Sequence, residues 1–232
     1  MLLPLAGAAI ISALPKNNEK AAKQAALGTT LVVMAVTIAM AVGFQRDNVE
    51  LQFVEKYAWI PSFGINFALG VDAIALVLIL MSVILAPIVV LAGWDEAHGG
   101  RWSVKTFYIL ILVLETMMIG VFAATDLFLF YVIFEAMLIP VYFLIGGYGT
   151  GERAAAAVKF LLYSLFGGLL MLASIIALYV MSGAQGGHTF DIDKLSQLQM
   201  SSTTQNLLFL GFFIAFAIKA PLWPFHTWLP DA

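Results

Sequence analysis

The chain has 232 residues, of which 62% are hydrophobic and 11% are charged, and its formal net charge is −3 at pH 7. Soluble domains contain about a quarter charged residues, so this composition excludes a water-soluble fold. The absence of Cys also excludes disulfides, iron–sulfur clusters and thiolate metal sites held by this chain.

Long apolar runs recur along the whole chain. A helix needs about 20 apolar residues to cross a bilayer, and it satisfies its own backbone hydrogen bonds there. The runs cover 2–14, 25–44, 69–93, 107–124, 127–145, 158–181 and a seventh segment that begins at 207. They predict an all-α polytopic membrane protein with about seven transmembrane helices. The first run is short, and the sequence leaves open whether it crosses the membrane.

The connections between the runs differ in basic charge. Those after the first, third and fifth runs contain seven Lys and Arg residues, and those after the second, fourth and sixth contain three. Because basic connections stay on the cytoplasmic side, we expect the N-terminus to lie outside. The two long outer connections, 45–66 and 182–206, are predicted to be loops. The cytoplasmic group comprises Lys16, Lys20, Lys23, Arg101, Lys105, Arg153 and Lys159.

Three ionisable residues fall inside the apolar runs. Glu115 and Glu135 are each the ninth residue of a run, and Lys219 follows the start of the last run by twelve positions. At a rise of about 1.5 Å per residue, all three lie near mid-membrane. Each costs about 2.5 to 3.5 kcal/mol on insertion scales, which indicates a role in moving protons or cations. The structural alternative is a static ion pair that holds helices together.

Prolines stand beside two of these charges. Pro140 removes a backbone hydrogen bond one turn after Glu135, which loosens that helix. Pro221 and Pro224 directly follow Lys219, so we expect the seventh helix to break there. Helices broken at membrane depth mark the ion sites of transporters. His226 lies just beyond this break, where it is either a proton relay or a hinge residue.

Several stretches between residues 70 and 232 carry a family resemblance. They are Gly70–Asp72, Glu115 with Gly120–Leu127, Phe134–Pro140, Val158–Ser164 and Lys219–Ala232. These stretches resemble the antiporter-like membrane subunits of the proton-pumping NADH:quinone oxidoreductase, respiratory complex I. Within that family the resemblance is strongest to the subunit M group, which includes mitochondrial chain 4.

The resemblance implies that Glu135 and Lys219 form the centre of one proton half-channel. Glu115 and Lys159 match further charged positions of the family. The chain is then a translocase subunit in the inner (cell) membrane, driven by quinone reduction elsewhere. NADH, FMN, iron–sulfur clusters and quinone are expected in partner subunits, and no cofactor or metal is expected in this chain. Its partners are other membrane subunits of complex I, the lipid bilayer and protons, with no nucleic acid.

The length departs from the family pattern. Family members carry a second, inverted set of helices, which is absent here, so we expect a fragment or truncated product that does not pump alone. Residues 1–106 are predicted to hold the first three helices, and residues 107–232 an incomplete antiporter-like repeat with the broken seventh helix. A subunit of a multisubunit sodium/proton antiporter or membrane-bound hydrogenase remains an alternative. A non-transporting membrane scaffold is the second alternative.

Overall fold

The computed structural model describes residues 1–15 and 18–232 and shows a helical bundle with a β-hairpin at one end. Lys16, one of the basic residues that predict the orientation, lies outside the described residues. The strands are β1 Gln52–Ile60 and β2 Ile65–Val71, and short 3-10 turns cover Pro61–Phe63, Glu96–Gly99 and Phe225–Trp228. The helices are α1 Leu3–Ala13, α2 Glu19–Gly43, α3 Ala73–Ala92, α4 Val104–Ala123, α5 Leu127–Ala136, α6 Leu138–Tyr148, α7 Arg153–Gly183, α8 Ile192–Ser196 and α9 Ser202–Lys219.

Six spans in the described part of the chain are long and apolar enough to cross a membrane. They are α2, α3, α4, the consecutive pair α5 and α6, α7, and α9. Helix α1 has 11 residues, which is short of the roughly 20 needed to cross unaided. The predicted all-α polytopic class is confirmed, with six full spans and the short α1 accounting for the seven apolar runs.

Helix α4 lies at the centre of the packing, in contact with α1, α2, α3, α5 and α6. Tyr108 and Leu112 on α4 are fully buried among these neighbours. Helix α7 packs Met171 and Ile175 inward and leaves large apolar side chains such as Leu169 exposed. A helix that is apolar on all sides suits a membrane span, because its outer face contacts lipid and its inner face contacts other helices.

Polar N-cap residues define where several spans begin. Asp72, Ser103 and Ser201 each accept a hydrogen bond from a first-turn backbone N–H, in α3, α4 and α9 respectively. The predicted third run, 69–93, is therefore only partly helical, because α3 begins after Asp72 and residues 69–71 belong to β2. Hydropathy does not distinguish an apolar strand from the start of an apolar helix, which explains the difference.

The connection 45–66, predicted as a loop, contains β1 and the beginning of β2 in an antiparallel hairpin. Aromatic and β-branched residues in β1 favour a strand, and Gly64 adopts the left-handed φ of 69° at the turn. We call this end of the bundle the hairpin end. The opposite, basic end carries the connections between α1 and α2, α3 and α4, and α6 and α7. There the Lys105 ammonium donates to the Leu14 carbonyl.

Asp126, between α4 and α5, fastens the hairpin to the spans. Its side chain is 1% exposed, and its Oδ2 accepts a hydrogen bond from the Asn66 N–H of β2 at 2.9 Å. Its Oδ1 accepts hydrogen bonds from two first-turn N–H groups of α5, including that of Leu129 at 3.1 Å. Lys56 of β1 adds an ion pair to Asp191, before α8, at 3.2 Å. The connection 182–206 is therefore joined to the hairpin at the N-cap of α8.

Replacing Asp126 with Ala removes the α5 N-cap and leaves the Asn66 N–H without its acceptor. We expect the hairpin attachment to weaken by about 2 kcal/mol, with a smaller loss for Asp126→Asn, which keeps the capping oxygen. The measurement is the rate of tryptic cleavage after Lys56, which is half-exposed on the hairpin. Asp193→Ala, at an exposed position of α8, is the control. Equal cleavage rates in Asp126→Ala and the control would contradict the assignment.

Candidate functional site

The span formed by α5 and α6 is interrupted one turn before Pro140. Helix α5 ends at Ala136 and α6 begins at Leu138, with Met137 between them. The Met137 N–H still donates to the Ile133 carbonyl at 3.0 Å, so the span bends without separating. Pro140 has no N–H to continue the ladder, which is the cause predicted from the sequence. Glu135 therefore lies in the last turn of α5, directly beside the interruption.

The last span ends at the predicted break. Lys219 is the final residue of α9, and the chain continues through Pro221 and Pro224 into the 3-10 turn Phe225–Trp228. The Trp228 indole N–H donates to the Ile218 carbonyl at 2.9 Å, so an aromatic side chain caps one of the carbonyls freed at the helix end. The prolines thus end α9, and the chain that follows them folds back so that Trp228 covers the C-terminal end of the helix.

The Lys219 ammonium is enclosed by aromatic rings. Its Nζ lies 4.7 Å from the ring centroid of Phe134 on α5 and 5.9 Å from that of Phe160 on α7. Among the described residues, Nζ is buried and has no hydrogen-bond partner. The faces of aromatic rings attract cations, so the two rings partly replace the missing hydration of the ammonium.

Glu135 lies close enough to Lys219 for their charges to attract each other. Its Oε1 is buried and accepts no hydrogen bond from any residue that the structure describes. The two groups are therefore electrostatically coupled without being locked in a hydrogen-bonded pair. Of the residues singled out in the sequence, these two are the pair that the structure brings together.

A glycine on α7 provides the space for the Glu135 carboxylate. A Cβ built on Gly168 would overlap Oε1 and lie within 2.7 Å of Oε2 of Glu135. Gly168 follows Ser164 by four positions, a spacing of small residues that is typical of helix packing in membranes. The neighbouring Gly167 does serve packing, because its Cβ position faces the backbone of Ala215 on α9 at 3.1 Å. Gly168 is a site residue that small-residue spacing alone does not identify.

Glu115 lies apart from this pair, in the middle of α4. It is 3% exposed, and neither carboxylate oxygen has a hydrogen-bond partner within the described ranges. Such a group is costly in lipid unless it is neutral or reaches water. The expected burial of Glu115 is found, but its carboxylate makes no ion pair with Lys219 in the structure.

Lys159 lies near the start of α7, at the basic end, and its side chain is 36% exposed. Its Nζ donates to Asp231 Oδ2 at 2.6 Å and to the Thr227 carbonyl at 2.7 Å. His226, in the same 3-10 turn as Thr227, has a half-buried side chain whose Nδ1 has no partner among the described residues. Asp231 was not singled out from the sequence, because only the fold shows that it faces Lys159.

The site has no arrangement suited to a metal. No cluster of three or more His, Asp or Glu side chains with ligand geometry occurs in residues 1–15 and 18–232. The chemistry available is the gain and loss of protons by a carboxylate, an ammonium and an imidazole.

Comparison with known proteins supports the resemblance. The family described as NADH:quinone oxidoreductase/Mrp antiporter, TM matches residues 124–232. NADH-quinone oxidoreductase subunit M of Mycobacterium tuberculosis is 44% identical over 100% of this chain and 48% of its own length. NADH-ubiquinone oxidoreductase chain 4 of Marchantia polymorpha is 34% identical over 100% of this chain and 46% of its own. The chain spans about half the length of the curated relatives it matches.

Solved structures show the same fold. A chain of respiratory complex I from Thermus thermophilus with bound NADH has a TM-score of 0.83 and 29% identity, over 99% of this chain and 45% of that chain. A chain of the Mrp complex from Dietzia sp. DQ12-45-1b has a TM-score of 0.80 and 19% identity, over 99% of this chain and 24% of that chain. At 19% identity, the similarity to the Mrp chain shows a shared fold and nothing further. Residues 124–232 therefore belong to the NADH:quinone oxidoreductase and Mrp antiporter membrane family, and the chain as a whole is similar to about half of the length of subunit M and chain 4 and shares the fold of the complex I chain.

Proposed function

We propose that this chain forms part of a proton-translocating membrane subunit of a NADH:quinone oxidoreductase. The observation that carries the proposal is the buried ammonium of Lys219 at the end of a broken helix: it attracts the Glu135 carboxylate, yet neither Lys219 Nζ nor Glu135 Oε1 has a hydrogen-bond partner among the described residues. A pair kept only for packing would gain from a direct hydrogen bond, whereas a pair that exchanges protons must separate and recombine.

The proton affinity of the pair responds to small movements. The C-terminal end of α9, the two aromatic rings and the Glu135 carboxylate all favour the charged ammonium of Lys219. Burial opposes it. Because these contributions depend steeply on distance at low dielectric, a shift of α5 relative to α9 alters the balance. The interruptions after Glu135 and after Lys219 supply places where such a shift is absorbed.

His226 extends the path on the far side of the break. It lies seven residues after Lys219, in the 3-10 turn that folds back on α7, and an imidazole can both accept and donate a proton. We propose that protons pass between Lys219 and His226, and that Glu115 is a second buried proton site on α4. Partner subunits supply the redox chemistry with NADH, FMN, iron–sulfur clusters and quinone. The subunit lies in the inner (cell) membrane with its N-terminus outside.

A multisubunit sodium/proton antiporter subunit is the second candidate, because the Mrp complex shares the fold. Sequence identity favours the oxidoreductase, at 44% to a subunit M against 19% to the Mrp chain. Replacing sodium in the assay buffer with choline distinguishes the two, since proton uptake through the oxidoreductase subunit persists without sodium.

Removing either charge should stop proton movement through this subunit. We expect Glu135→Gln and Lys219→Ala to lower NADH-driven proton uptake into membrane vesicles by about tenfold, because a positioned proton-transfer group is lost. NADH oxidation with an artificial electron acceptor is measured alongside, to show that the redox part of the complex is intact.

Glu50→Gln and Lys194→Ala are the matched controls, because both residues are exposed and form no ion pair within the described residues. Uptake in the controls should equal that of the unaltered complex. Normal uptake in both Glu135→Gln and Lys219→Ala would reject the proton path and leave a membrane scaffold as the function.

A methyl group at position 168 should disturb the carboxylate without removing it. In Gly168→Ala the new Cβ occupies the place of the Glu135 carboxylate, so we expect proton uptake to fall although every charge is retained. Gly28→Ala is the control, because a Cβ at Gly28 in α2 meets nothing within 4 Å and stabilises the helix by about 1 kcal/mol. Unchanged uptake with a fully assembled Gly168→Ala complex would show that Gly168 does not set the carboxylate position.

A further inference from the structure

The chain after α9 folds back onto the beginning of α7. We call residues 220–231 the return segment. Lys159 donates to two groups of this segment, the Asp231 carboxylate and the Thr227 carbonyl. One turn further along α7, the Tyr163 hydroxyl accepts a hydrogen bond from Thr227 Oγ1 at 3.1 Å. Two polar side chains of α7 therefore hold the return segment from one side.

The same segment also contacts the end of α9. Trp228 packs its ring against Phe160 of α7, with centroids 5.0 Å apart, and donates its indole N–H to the carbonyl of Ile218. Ile218 immediately precedes Lys219. The Phe160 ring that supports Trp228 is also one of the two rings facing the Lys219 ammonium. A continuous set of contacts thus joins the Lys159–Asp231 pair to the end of α9.

We propose that Asp231 is a positioning residue for Lys219 and that Lys159 is its fixed counter-ion, not a proton carrier. Together they hold the return segment on α7, and Trp228 then sets the position of the last turn of α9. The inference rests on the proposed function, because it assumes that the position of Lys219 matters for proton transfer. It assigns Lys159 a role different from that of the buried charges.

The geometry of Lys159 supports this division. Two of the three donors of its ammonium are used, one on a carboxylate and one on a backbone carbonyl. The pair is partly exposed, with side-chain exposures of 36% and 52%, so it contacts water and does not depend on Lys219 for its charge balance. Glu135 and Lys219, in contrast, each have a buried atom without a hydrogen-bond partner in the described part of the chain. A lysine that is held by a carboxylate and a backbone carbonyl and is partly exposed to water is better suited to holding structure than to passing protons.

Replacing Lys159 with Arg distinguishes a lysine that holds Asp231 from a lysine that carries protons. An Arg side chain keeps its charge at all accessible pH values and makes directional hydrogen bonds to carboxylates, so it can hold Asp231 but cannot release a proton. The cavity of about 370 Å³ bordered by Glu152, Lys159 and Asp231 leaves room for the larger guanidinium. Lys159→Arg therefore preserves the proposed role, and Lys159→Ala removes it.

The test uses the assembled complex in membrane vesicles and measures protons taken up per NADH oxidised. We expect Lys159→Ala and Asp231→Asn to lower this ratio about fivefold, and Lys159→Arg and Asp231→Glu to keep more than about half of it. Lys20→Ala, an exposed lysine at the basic end without an ion pair in the described part of the chain, is the control. Native gel electrophoresis checks assembly, and if Lys159→Ala fails to assemble, the other three variants decide.

Two outcomes would overturn the inference. A loss in Lys159→Arg as large as that in Asp231→Asn would make Lys159 a proton carrier, and full pumping in Asp231→Asn would remove the positioning role of Asp231. Either result leaves the proposed function standing if Glu135→Gln still lowers proton uptake about tenfold. Normal uptake in Glu135→Gln and Lys219→Ala, by contrast, rejects the proposed function itself.

Discussion

Hydrocarbon offers no hydrogen bonds, and this constraint governs the placement of every polar group in the chain. A backbone carbonyl or a charge inside the membrane must find a partner within the protein, reach water or give up its charge. Most of the sequence meets the constraint with uninterrupted apolar helices. One exception is Glu115, which lies in the uninterrupted helix α4. The others occur at the interruption after Glu135 and at the end of α9, where prolines and charged residues occur together.

At these two places the protein supplies hydrogen-bond partners for the backbone but not for the charged side chains. The backbone is largely satisfied, since Leu222 donates to the Ala217 carbonyl at 2.8 Å and Trp228 to that of Ile218 at 2.9 Å. The charged side chains are not, since Lys219 Nζ contacts aromatic faces and is attracted by Glu135 but has no hydrogen-bond partner among the described residues. Because the backbone is satisfied and these charges are not, the electrostatic response is concentrated in a few side chains. This combination suits proton transfer, in which the scaffold must survive each change of charge.

Features that depend on local sequence were predictable. The spans follow from hydropathy, and the interruption near Glu135 and the end of α9 follow from the absence of an N–H in proline. The hairpin escaped prediction because an apolar strand and an apolar helix have the same hydropathy, and only the capping by Asp72 separates them. The space at Gly168 and the partner of Lys159 depend on which helices are neighbours, and no spacing within one segment encodes that. Asp126 could have been suspected, since an acidic residue directly before an apolar run is a typical N-cap.

Helix α7 contacts the surroundings of both residues of the buried pair, the Glu135 carboxylate and the segment that follows Lys219. It has 31 residues and is about 46 Å long at 1.5 Å per residue, compared with a hydrocarbon thickness of about 30 Å. It carries both the space for the Glu135 carboxylate, at Gly168, and the anchor of the return segment, at Lys159. Gly168 follows Lys159 by nine positions on the same helix. A displacement of α7 would therefore change the surroundings of the Glu135 carboxylate directly and those of Lys219 through the return segment, so one helix conveys movement to the acid and to the base of the pair.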